Sequence, residues 1–390
     1  MTMRRSPVPS RRKQNNAPGR PNGRIARLLL SFGTVAVCIA LAVGGLSGEQ
    51  MLDIGRRMAL LSVGMMQPEG GAEALSGRLD RVPAANSGKE QTESVDGPTV
   101  PYTPGSGNQE GVDLPTGGDA VIPPNAGDGG SITEEQLTMG SSFVQGVAIK
   151  NASSATINIA EQIAVAPALG LTNTAEPQVL IVHTHTTEGY MSYDAGYYNA
   201  ADLSRTKDNS RNVVNVGEAI AAQLRAAGIG VIHDITIHDN PKYTGAYDRS
   251  AATIQKNLKT YPTIRVVLDI HRDAIYRSSA NRLKPTAVIN GRKAAQMMVI
   301  ASACDSSSQP HPNWPENLRL ALRLQSALHT QYEGIVRPLY LVDSRYNQHL
   351  TKGSLLIEVG TDGNTVEEAS YSGQILGKTL AQVLNSLKEE

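Results

Sequence analysis

Cysteine is nearly absent from this 390-residue chain, which has only Cys38 and Cys304. Two thiols exclude a disulfide-framework fold and a cysteine-based zinc cluster. Net charge is absent as well, because 36 Lys+Arg offset 36 Asp+Glu. That balance excludes a nucleic-acid protein held by bulk positive charge. The zero averages over unlike parts. Residues 1–27 lack any acidic residue but carry Arg4, Arg5, Arg11, Arg12, Lys13, Arg20, Arg24 and Arg27. Removing those eight from the 36 basic residues leaves 28 against 36 acidic for the rest of the chain.

Charge is missing again from Leu28 to Leu46, a run of nineteen residues. At a 1.5 Å rise per residue, such a run approaches the roughly 30 Å hydrocarbon thickness of a bilayer. It reads as a transmembrane helix, with Cys38 as one small apolar residue within it. A cleaved signal peptide has a shorter apolar core, roughly 7–15 residues, and a small-residue cleavage site. The basic flank is N-terminal, so 1–27 is expected in the cytoplasm and everything beyond the span outside it. Residues 47–140 are expected to be a disordered extracytoplasmic linker. From Gln67 to Gly140 large apolar residues are too sparse to offset the entropy of ordering. A flexible chain of about 75 residues reaches on the order of 50 Å.

Regular patterning returns over 141–390. Val179–Val182, Ile229–Ile235, Ile264–Ile270, Thr286–Asn290, Met297–Ala301 and Ser354–Val359 read as strands. Asn212–Ala227, Tyr247–Leu258, Asn317–Gln331 and Val366–Leu387 have helical periodicity. Alternating strands and helices predict a single α/β catalytic domain, with a largely parallel sheet flanked by helices. Ligands of such sheets bind beyond the carboxyl ends of the strands.

Three strand ends carry chemistry: His183-Thr-His185-Thr-Thr-Glu188-Gly-Tyr190, Asp269-Ile-His271-Arg272-Asp273, and Glu358-Val-Gly. Two imidazoles and one carboxylate are the ligand set of a catalytic zinc. Zinc acidifies a bound water and polarises a carbonyl, and a further carboxylate must handle the water's proton. Glu358, projecting from an apolar strand, suits that task; the plainer alternative is an ion pair with Arg272. His183 and His185 would face the same way along an unbroken strand. A bend after Thr184 would leave His185 with Glu188 as ligands and His183 as a neighbour or substrate contact. Asp269 and Asp273 are candidate acceptors fixing the tautomer of His271. Tyr346 and Asn347, just before the Glu358 strand, are candidates to line a substrate cleft. His233-Asp234 and His238-Asp239 suit loop fixing or groove lining better than a second metal site.

These motifs resemble the stage II sporulation protein P (SpoIIP) family. The resemblance rests on His183-Thr-His-Thr-Thr-Glu188-Gly-Tyr190, Arg211-Asn-Val-Val, His233-Asp-Ile-Thr-Ile-His-Asp239 and Asp269-Ile-His-Arg-Asp273. It continues through Pro312-Asn-Trp-Pro-Glu-Asn317, Tyr346-Asn-Gln348 and Leu356-Ile-Glu-Val-Gly-Thr-Asp-Gly-Asn364. Gly189 departs from the family's usual Ser, and the chain is poor in Phe. The resemblance implies a zinc-dependent hydrolase similar in fold to N-acetylmuramoyl-L-alanine amidases, cutting the muramoyl–peptide amide of peptidoglycan and also peptide cross-links. It implies His185, Glu188 and His271 as zinc ligands with Glu358 catalytic. In the larger amidase family the Glu ligand opens the next helix, a place held here by Ser210-Arg211. The resemblance further implies a role in engulfment during sporulation, beside a SpoIID-like transglycosylase and a SpoIIM-like membrane protein. Two other classes stand beside this reading: a degenerate domain that only binds wall or partners, and a metallophosphoesterase using His233 and His238. The acidic extracytoplasmic part would not be drawn to anionic wall polymers, so targeting would rest on anchor, linker and partners.

Overall fold

The computed structural model describes residues 128–140, 143–303 and 309–389. The expected cytoplasmic tail and membrane span lie outside the described residues, as does the expected linker up to 127. No helix among the described residues is long and apolar enough to cross a membrane.

The strands appear where apolar runs are continuous. Gln178-Val-Leu-Ile-Val lies in β3 (Pro177–Val182), which is buried at every residue, as expected for a strand covered on both faces. Beside it lie β5 (Gly230–His233), β6 (Val266–Asp273) and β12 (Gly353–Thr361). The sheet continues through β10 (Met297–Ser302) and β11 (Leu339–Val342) to β2 (Ile149–Asn151). Strand order is β2-β11-β10-β12-β6-β3-β5. All neighbours are parallel except β10 and β12, which run antiparallel.

A second sheet has the order β4-β1-β8-β7, with β9 pairing β8. It is built from β1 (Gly130–Glu135), β4 (Tyr197–Tyr198), β7 (Tyr276–Ser278), β8 (Asn281–Ile289) and β9 (Arg292–Ala295). The architecture is therefore an α/β domain with mixed sheets. β1 also corrects the expected linker boundary at 140. Its sequence has one large apolar residue, Ile132, so little in it signals a strand. Its ladder is supplied by β8 in parallel and β4 in antiparallel pairing.

The helices are α1 (Ile159–Ala164), α2 (Val213–Ala226), α3 (Ala246–Thr260), α4 (Trp314–Gln331) and α5 (Val366–Asn385). Asn212 caps α2 by accepting from the Val214 N–H, and Thr365 with Glu368 forms a reciprocal capping box on α5. α2 and α5 pack closely enough to require glycine: a Cβ on Gly377 would lie 2.7 Å from the Ile220 carbonyl oxygen.

Alternation along the strands sends two sets of side chains to opposite faces. Val179, Ile181, Leu268, Ile270, Ile357 and Val359 join the main core with α2, α4 and α5. Leu180, Val182 and Val267 face the other way, onto Ile254 of α3. Ile300 and Leu356 share that second face with Val342 and the partly buried Met298, Tyr340 and Tyr346. The second face is thus covered by a helix at one half and by a loop and a small apolar cluster at the other.

Candidate metal centre

His271 and Glu358 are register partners on adjacent parallel strands, β6 and β12, so both project from the second face. After Val182 the chain turns tightly, and the Glu188 N–H donates to the His185 carbonyl at 3.0 Å. Threonines hold this turn. Thr184 donates to Asp269 through its N–H at 2.8 Å and its hydroxyl at 2.6 Å. Thr187 donates its hydroxyl to Asp239 at 2.6 Å. Arg205 reaches Asp239 at 2.8 Å and Glu188 at 3.5 Å.

The turn brings His185 and Glu188 to His271. One donor atom from each of the three lies within 4.8 Å of the other two, and all three residues are buried. His271 Nδ1 is 3.4 Å from Glu188 Oε2, and its Nε2 is 2.9 Å from Asp269 Oδ1. The Arg272 N–H donates to Glu188 Oε2 at 3.1 Å. The Arg272 guanidinium donates to the Gly189 and Ser204 carbonyls, clamping the turn.

His183 does not join this group. It continues the β3 alternation onto the α2 face, where its Nδ1 meets the Ile270 carbonyl at 3.0 Å and its Nε2 meets His233 Nε2 at 2.9 Å. A carbonyl only accepts, so Nδ1 carries the His183 proton. His233 Nδ1 in turn stands 3.0 Å from Glu218. Asp273 is also placed differently from the sequence expectation. It accepts from Arg337 at 2.8 Å, so Asp269 alone of the two carboxylates stands at the His271 ring. His238 binds the His183 carbonyl and Thr253, a loop-fixing arrangement.

Two tyrosines that the sequence analysis does not single out, Tyr243 and Tyr247, stand beside the trio. The Tyr243 ring stacks on His185 at 4.4 Å, and the Arg205 guanidinium lies over the Tyr243 ring, 4.9 Å from its centroid. Tyr247 lies 6.4 Å from His271 and 5.4 Å from Tyr346. The four-residue spacing of Tyr243 and Tyr247, at the entry to α3, was the available clue. Tyr346 and Asn347 both have positive φ, at 45° and 59°. Asn347 pins this loop to α3 by donating to the Tyr247 carbonyl at 2.8 Å and to Ser250 at 3.0 Å.

Burial holds the His185 imidazole down at about 3, leaving it neutral as a ligand must be. Burial also pulls on His271, but Asp269 and Glu188 outweigh it and push that imidazole well above its usual value. Glu358 is raised to about 8, chiefly by burial, with the His271 charge opposing the rise. His185 Nδ1 and Glu358 Oε2 are buried with no hydrogen-bond partner. Unsatisfied buried polar atoms are costly. Their convergence here, with two imidazoles and a carboxylate, matches the donor set of a zinc ion.

The α/β domain thus holds at its strand ends a His–Glu–His trio, a donor set that could hold one metal ion, with the Glu358 carboxylate on the neighbouring strand. The stage II sporulation protein P (SpoIIP) family matches this chain over residues 130–381, well over half its length, and the chain belongs to that family. The match begins at the first residue of β1. Stage II sporulation protein P of Bacillus subtilis (strain 168) is 29% identical over 201 residues, spanning 49% of this chain and 47% of the relative. The match thus spans about half the length of that curated relative. Among solved structures, N-acetylmuramoyl-L-alanine amidase AmiC2 of Nostoc punctiforme is 11% identical, with a TM-score of 0.32, over 54% of this chain and 96% of that one. The CwlD amidase from Clostridioides difficile, in complex with the GerS lipoprotein, is 16% identical with a TM-score of 0.31, over 54% and 100%.

Proposed function

We propose that this protein is a zinc-dependent peptidoglycan hydrolase of sporulation, cleaving the amide between N-acetylmuramic acid and the first alanine of the stem peptide. The observation that carries the reading is the buried trio His185, Glu188 and His271, with Glu358 beside it on the next strand. His185, Glu188 and His271 would hold zinc. Bound there, the ion would supply Lewis acidity toward the scissile carbonyl and lower the pKa of a water. Asp269, 2.9 Å from His271 Nε2, would hold the ring's proton on that nitrogen when a metal takes Nδ1 on the Glu188 side. Glu358 takes the proton of the attacking water and passes it to the departing amine nitrogen. Its burial suits both halves of that transfer, because a raised pKa makes it a better base and a ready acid near neutral pH. Tyr243 and Tyr247 wall the site and orient the two imidazoles.

The same proposal places the chain in the cell membrane as a single-pass protein. Residues 1–27 would be cytoplasmic, 28–46 the span, and the catalytic domain extracytoplasmic. SpoIID-like and SpoIIM-like proteins would be its partners in engulfment, and cross-link cleavage a second activity. The test is mass spectrometry of purified peptidoglycan digested by the full-length protein. Amidase action frees the alanine amine and leaves intact muramic acid; products cut only within cross-links would replace the amidase reading, and no products at all would favour a binding scaffold.

A further inference from the structure

Next to the proposed centre lies a cavity of about 380 Å³ whose chemistry the hydrolysis above does not use. Its floor is apolar, formed by Met298 and Pro338, with Leu137 in its wall. Two cations line it, Arg337 and Lys150. Lys150 is exposed and sits over the Tyr340 ring at 5.2 Å. The Arg337 side chain is 6% exposed and donates Nη1 to Asp273 at 2.8 Å. Its Nε and Nη2 are buried with no hydrogen-bond partner. Glu135 also lines the cavity, but it is paired with Arg277. The wall is fixed in place, because Gln296 exchanges hydrogen bonds with Leu137 at 2.7 and 2.8 Å.

The cavity continues the row of side chains that carries the centre. Met298 is the register partner of Glu358, and Glu358 is the register partner of His271. The pairing of Ile300 with Tyr340 carries the same row on to Pro338. Neighbouring strands are about 4.8 Å apart, so the cavity lies about 5–10 Å across the sheet from Glu358. An extended peptide advances about 3.3 Å per residue and covers that distance in two to three residues.

We infer that this cavity is an anion subsite in which Arg337, assisted by Lys150, binds a carboxylate of the peptide attached to the scissile amide. A buried guanidinium with two unused donors is matched best by a carboxylate, which accepts two parallel N–H bonds. Leu137, Met298 and Pro338 suit a short aliphatic stem leading to that carboxylate. Arg337 is a binding residue in this scheme, and Asp273 is its positioning residue. The inference rests on the proposed hydrolase reading for the direction in which the peptide runs.

Binding tests it without turnover. The probes are N-acetyl-alanyl-glutamate, its diamide and inorganic phosphate, titrated into full-length ¹⁵N-labelled protein while the Arg337 Nε–H resonance is followed. The free acid should shift that resonance saturably and bind about tenfold or more tightly than the diamide. Lys150→Gln, at an exposed position that does not threaten folding, should weaken the acid severalfold and leave the diamide unaffected. Arg337→Gln should abolish the preference. Equal binding of acid and diamide overturns the inference, as does phosphate binding as tightly as the peptide, or no response to the acid. A protein that binds the acid this way but cuts no peptidoglycan loses its proposed activity and keeps the subsite. One that cuts but shows no preference loses only the subsite.

Discussion

Replacing Asp269 with Asn tests whether the His271 ring is set for metal by its carboxylate neighbour. Asp269 accepts twice from Thr184, at 2.8 and 2.6 Å, and lies 2.9 Å from His271 Nε2. An asparagine keeps the volume and can still accept from Thr184 through its one oxygen. That oxygen keeps the Oδ1 place, which serves both the Thr184 N–H and His271 Nε2, and the NH₂ takes the Oδ2 place, where the Thr184 hydroxyl can turn to accept it and donate to Ser250. What His271 loses is the neighbouring negative charge, which makes the ring a stronger ligand for a dication. Losing such a partner typically costs about 10–100-fold in metal affinity, or roughly 1.4–2.7 kcal/mol. The assay is zinc competition against a fluorescent chelator at pH 7, with thermal unfolding in excess chelator as the folding control. Zinc affinity within about twofold of wild type, in a variant that still melts cooperatively, would refute the role given to the Asp269 charge.

Zinc uptake should also release protons. His271 sits well above its ordinary value and is charged at neutral pH, whereas His185, held near 3, has no proton to lose. Affinity should therefore rise with pH by about tenfold per unit while His271 remains protonated. In a Glu358→Gln background, which removes that carboxyl's own titration, calorimetry in two buffers should find about one proton released per zinc at pH 7; none released would show that His271 is already neutral. His183→Ala should keep zinc but lose about 2–4 kcal/mol of stability, from a cavity and the stranded Ile270 carbonyl and His233. His185→Ala should do the reverse, losing zinc with a smaller loss of stability in chelator; equal zinc loss in both variants contradicts the assignment. At Asn347, with φ 59°, Ala should be about 1 kcal/mol less stable than Gly, because both lose the bonds to α3 and only Ala pays for the left-handed backbone. Equal melting of the two would mean that the loop relaxes.

The elements that could be read from sequence are those whose signals are local. Val179–Val182 is a continuous apolar run, and Val213, Val216, Ile220 and Leu224 mark one face of a capped helix. What escaped depends on partners far along the chain. β1 contains a single large apolar residue and exists because β8 and β4 offer ladders. The antiparallel pairing of β10 with β12 is set by how the chain crosses, and no side chain announces it. The hairpin joining β8 to β9 did have a local signal: Asn290-Gly291, both at positive φ, suits a two-residue turn.

At the site, residue types and strand ends were legible, because a metal centre needs donors that are otherwise rare in buried strands. The separation of His183 from His185 was harder. It depends on where the strand stops, and the ring that claims His183 Nε2, His233, is fifty residues away, on β5. The places of Tyr243 and Tyr247 depend on how α3 lies over the sheet. Asp273 is two residues from His271 in sequence, but Arg337, remote in sequence, takes it.

The central claim is a division of labour: His185, Glu188 and His271 hold the metal, and Glu358 moves the proton. The most direct measurement is zinc content and peptidoglycan hydrolysis, side by side, for the full-length wild type and Glu358→Gln. The account predicts one zinc in each protein and hydrolysis by the wild type alone. A variant that loses its zinc, or one that keeps both zinc and hydrolysis, contradicts it.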